Sequence, residues 1–120
     1  MIRNEGSNTP LTPELRAWVE HERMRGAQVV RAIMRQRRQV GDTRGLERFK
    51  TRMALVELTG YAASWANGLH DGFTKAGLAE AAAAFAPSPP FAASDPTATD
   101  YDQLGDFVEA RMSVLQELLA

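Results

Sequence analysis

The chain has 120 residues, one domain's worth, and no cysteine, which excludes disulfides, thiolate metal sites and cysteine nucleophiles. Hydrophobic residues make up 44% and charged residues 24%, so the composition is that of a folded domain and not of a disordered one. The 14 basic and 15 acidic side chains leave a net charge of −1, which at first sight argues against a polyanionic partner.

In chain order, residues 1–10 are polar and aperiodic and read as a flexible N-terminal tail. Thr12-Pro13-Glu14 is a helix start: Thr12 suits the cap, Pro13 the first helical position, and Glu14 the positive end of the dipole. Leu15, Trp18 and Val19 open an apolar face, and Val29, Val30, Ile33, Met34 and Val40 continue it beyond Gly26. If Gly26 is a break there are two helices; if not, residues 13–40 form one. Gly41-Asp42-Thr43 then predicts a stop and a restart.

The next helix is expected from near Thr43 to about Asn67. Leu46, Phe49, Met53 and Val56 form one stripe, and Leu55, Leu58, Ala62, Trp65 and Leu69 form a second, the pattern of a central core helix. Asn67-Gly68 and Asp71-Gly72 read as turns, followed by an Ala-rich helix from Phe73 to Ala86. The resulting core domain spans 11–86. Residues 87–99 hold four prolines and read as an extended connection. Asp100 then caps an amphipathic C-terminal helix over 100–120, with Leu104, Phe107, Val108, Met112, Leu115, Leu118 and Leu119 on its apolar face. That helix packs on its own core or, through the long connection, on a neighbouring subunit. No strand-like alternation occurs. The predicted fold is all-α, a bundle of four to five helices with an Arg-rich hairpin.

No apolar run reaches the ~18 residues of a membrane span; Met53–Leu69 is interrupted by Glu57, Thr59, Ser64 and Asn67. The N-terminal residues lack the apolar region of a signal peptide, so a cytoplasmic location and no membrane partner are expected. Phosphate-loop, zinc-protease and nucleophile-elbow motifs are absent. His21 and His70 have no third ligand or catalytic partner that can be named, and neighbouring His70 and Asp71 would not face each other on a helix. No metal, cofactor or enzymatic activity is therefore implied.

Charge is segregated along the chain. Residues 1–60 carry 12 basic and 7 acidic groups, residues 61–120 carry 2 and 8, and the window 23–52 reaches +8. Twelve of the 14 basic residues are Arg. A GC-rich genome would produce that bias; so would a need for guanidinium forks. Arg31, Arg35 and Arg38 fall within a ~60° arc of a helix, and Arg44, Arg48 and Arg52 follow at spacings of four on the next. These six form the candidate binding surface. It is either a solvated face, a match to the acidic stretch Asp95–Glu109 within or between subunits, or a contact for nucleic-acid phosphates. The turns do not follow the helix-turn-helix pattern, so backbone contact rather than base readout is expected.

A stripe of small residues, Gly60, Ser64, Gly68 and Gly72, suggests close helix packing within the chain or, as the alternative, a dimer seam or ligand groove, with Gly68 and Gly72 also open to a reading as turns. The function expected from all of this is a non-enzymatic binding or assembly protein, a subunit or adaptor. Its partner is a nucleic-acid backbone or an acidic protein surface. The alternative is a protein-binding regulator or homo-oligomer whose basic and acidic halves pair between protomers.

Overall fold

A computed structural model of the chain describes residues 11–38, 46–85 and 98–120, without the side chains of 46–48, 98 and 99. Four helices account for all regular structure among these residues, so the fold is all-α. The tail, the 41–43 turn of the expected hairpin and the Pro-rich connection lie outside the described residues.

The first helix, α1, runs unbroken over Pro13–Arg37. Its start is as the sequence predicts: Thr12 Oγ1 accepts the Leu15 N–H at 3.1 Å, and Pro13 occupies the first turn. Such a cap contributes about 1 kcal/mol. Gly26 does not end the helix. It is buried at a crossing, where an added Cβ would lie 2.7 Å from Trp65 Cζ2 and 2.8 Å from Met112 Cγ. The propensity cost of a mid-helix glycine, about 1 kcal/mol, is offset by letting two other helices approach the α1 backbone.

The second helix, α2, spans Leu46–Lys75 and passes straight through both expected turns. The reason at Gly72 is tertiary: an added Cβ would sit 2.5 Å from Trp18 Cη2, so the indole of α1 lies on the bare backbone of α2. The break comes later, at Gly77, whose φ of 78° is left-handed. The Leu78 N–H reaches the Phe73 carbonyl at 3.0 Å and the Gly77 N–H reaches that of Thr74 at 3.1 Å, the paired bonds of a Schellman cap. The Ala-rich stretch expected as one helix is therefore the end of α2 plus a short α3, Ala79–Ala83. The last helix, α4, covers Ala98–Leu119, with Asp100 in its first turn and not at its cap.

Register follows from cross-helix contacts. Arg37 meets Asp102, Gly26 meets Met112 and Arg16 meets Leu119, so α1 and α4 run antiparallel. Trp18 meets Gly72, and Trp65 Nε1 donates to the Glu22 carbonyl at 3.1 Å, so α1 and α2 are also antiparallel. Hence α2 and α4 are parallel, and Tyr101 Oη ties their leading ends by donating to the Thr51 carbonyl at 2.9 Å. Parallel neighbours need a long return, which is what separates α3 from α4 in sequence.

The core is built from Val19, Val29 and Ile33 of α1, Leu55, Ala62, Trp65, Leu69 and Phe73 of α2, Ala82 of α3, Phe85 just beyond it, and Tyr101, Leu104, Val108 and Leu115 of α4. Each large side chain there contributes roughly 1.5–3 kcal/mol by burial. At one end Phe73 receives Trp18 edge-on at 5.2 Å and stacks on Phe85 at 5.5 Å. Helix α1 packs against both α4 and α2, and α2 packs against α1, α3 and α4. The expectation that α2 is apolar nearly all round holds only in part: its second stripe faces inward, whereas Phe49, Met53 and Val56 of the first are exposed.

Candidate functional site

The C-terminal half of α1 presents the basic surface. Arg31, Arg35 and Arg38 are all exposed. None of them takes part in the ion pairs among the described residues. On α2, Arg52 is exposed, Arg48 lies in the first turn without a described side chain, and Arg44 lies outside the described residues. The structure thus places three of the six candidates together on one helix and a fourth on its neighbour.

The acidic helix α4 lies against α1, yet it engages a different arginine. Arg37 Nε and Nη2 reach the two carboxylate oxygens of Asp102 at 2.6 and 3.2 Å. The Asp102 carboxylate, by accepting these bonds and by its charge, raises the Arg37 pKa above its ordinary value. Arg37 was absent from the candidate surface. It follows Ile33 by four residues, so it continues the buried stripe and points at the next helix, a signal readable in the sequence. Asp106 and Glu109 remain exposed on α4.

Between α1 and α2 runs an open groove. Near its middle Arg35 and Gln36 face Glu57, Leu58 and Tyr61. Further along, Glu22 and Arg25 face Gly60, Tyr61, Ser64, Trp65 and Gly68. Arg25 bonds the buried Glu22 carboxylate at 3.3 and 3.4 Å. A hydrogen bond with Tyr61 and the Glu22 charge raise the Arg25 pKa. The small residues therefore do something other than the close intramolecular packing expected of them: Gly60, Ser64 and Gly68 are exposed, and nothing among the described residues lies within 4 Å of a Cβ placed on either glycine. Only Gly72 of that stripe is packed.

Two further groups are settled locally. His70 Nδ1 does meet Asp71 Oδ1, at 3.3 Å, contrary to the expectation for adjacent helix positions, but the pair is on the surface. Among the described residues no three His, Asp or Glu side chains are gathered in a metal-binding group. Arg111 stacks on Phe107, its guanidinium carbon 3.7 Å from the ring centroid, and its Nη1 donates to the Phe107 carbonyl. Burial lowers its pKa. No described helix is long and apolar enough to cross a membrane.

Comparison with protein-family models, curated proteins and solved structures finds no match to this chain. The site must be read from its own chemistry.

Proposed function

We propose that the protein is a non-enzymatic helical binding protein, a subunit or adaptor, whose arginine face contacts a nucleic-acid backbone. The observation that supports this reading is the position of Arg31, Arg35 and Arg38. They are exposed on one arc of α1 and, among the described residues, left out of ion pairing while Asp102 of the acidic helix is held by Arg37. Guanidinium groups suit phosphate geometry, and an arc of them contacts backbone without reading bases. Titration against nonspecific DNA and RNA across a salt series tests it. Binding at low salt that falls steeply as salt rises is the expected result, with a slope of about −0.9 per phosphate neutralised on duplex DNA. Absence of binding at low salt, or binding indifferent to salt, contradicts it.

A second reading rests on the exposed Asp106 and Glu109 of α4. Here the basic face of one copy pairs with the acidic helix of another. Sedimentation at two salt concentrations distinguishes it: such an assembly dissociates as salt rises.

A further inference from the structure

The stripe that the fold leaves outside is continuous along α2. Phe49, Met53, Val56, Gly60, Ala63 and Asn67 follow each other at steps of four, three, four, three and four. That spacing matches the inward stripe Leu55, Leu58, Ala62, Trp65 and Leu69 on the other side of the same helix, and it keeps the exposed residues in one line, as a helix–helix seam requires. It lies on α2 opposite the buried Leu55, Ala62, Leu69 and Phe73. Phe49 is 59%, Met53 43% and Val56 46% exposed. These three apolar side chains are in line on one helix face and not scattered singly over the surface.

We propose that this seam pairs with the same seam of a second copy, the two α2 helices running antiparallel about a two-fold axis near residues 54–55. Shape favours this arrangement. The seam is bulky at one end and small at the other, and an antiparallel pair sets Phe49 of one copy over Gly60 of the next, where nothing described lies within 4 Å of an added Cβ. Met53 then meets Val56. A parallel pair would set Phe49 on Phe49 and leave a gap between glycines. Charge favours it too. Lys50, which already interacts within its own chain, and Glu57 lie on the same flank of the seam, both exposed, and antiparallel pairing brings Lys50 of each copy to Glu57 of the other as an added contact. The contact is self-complementary, as a two-fold interface must be. It uses none of Arg31, Arg35 and Arg38, and although Glu57 also faces Arg35 across the groove, variants at Met53 and Val56 test it separately from nucleic-acid binding.

Sedimentation velocity on the full chain, from low micromolar to near-millimolar protein, tests the proposal. The expected result is a monomer–dimer equilibrium that survives about 1 M salt, where charge interactions are screened to a few ångströms. Met53→Glu and Val56→Glu, each at an exposed site, should raise the dimer Kd at least about tenfold with unchanged circular dichroism, since each sets a charge against an apolar surface. Lys50→Glu alone and Glu57→Lys alone should each weaken the dimer, and the double reversal should restore it. A monomer at every concentration overturns the proposal, as does a dimer that high salt dissolves or that both glutamate variants leave intact. Failure of the double reversal to rescue overturns the antiparallel pairing.

Discussion

Gly26 and Gly60 occupy the same kind of helix interior and should respond oppositely to the same change. A methyl at Gly26 runs into the rigid Trp65 ring, whereas one at Gly60 meets open space. Gly26→Ala should destabilise the fold by about 1–3 kcal/mol, the scale of core overpacking. Gly60→Ala should stabilise the monomer by up to about 1 kcal/mol through helix propensity alone. Urea denaturation of both variants at low protein concentration checks the pair. Tyr101 gives a pH signature. Its hydroxyl is fully buried and burial raises its pKa above the usual value of 10. The neutral form is the one the fold holds, so its contribution is complete below pH 10 and is lost as pH rises through the folded pKa. Tyr101→Phe should cost about 1–2 kcal/mol at neutral pH, because the hydrogen bond to the Thr51 carbonyl is lost. It should also flatten the fall in stability above pH 10, measured as melting temperature against pH.

Among the elements, helix existence was legible because apolar residues recur with helical spacing, and the start at Thr12-Pro13-Glu14 was legible because a cap is a local hydrogen bond. Helix ends and inward faces were less so. Asn67-Gly68 and Asp71-Gly72 are turn sequences by local chemistry, but Trp18 packing on Gly72 carries α2 through them, a contact 54 positions away in the chain. The true stop, Gly77, is distinguished by a left-handed φ that composition does not reveal. Gly77→Ala should therefore destabilise by about 1–2 kcal/mol, the cost of an L side chain in that conformation, and thermal unfolding followed by circular dichroism measures it. The two stripes of α2 both have helical spacing, and nothing local says which is buried. Trp65 decides it, because its indole needs both the Gly26 gap and the Glu22 carbonyl, and both lie on α1.

At the scale of the molecule, the net charge of −1 conceals a division of labour. Among the ion pairs of the described residues, the basic and acidic halves meet through Arg37 and Asp102, on the side of α1 that faces α4. The arc bearing Arg31, Arg35 and Arg38 points elsewhere. Its spacing was legible in the sequence; which arginine α4 would occupy was not, since that depends on how two helices distant in the chain are set in register. The most direct measurement is the salt dependence of binding to nonspecific duplex DNA for the native chain and for the triple variant Arg31→Ala, Arg35→Ala, Arg38→Ala. All three side chains are exposed, so the variant should fold as the native chain does. Its log–log salt slope should be shallower by about 2–3, close to one unit per phosphate contact removed. An unchanged slope, or native binding that does not weaken with salt, would contradict the assignment of this face to a polyanion.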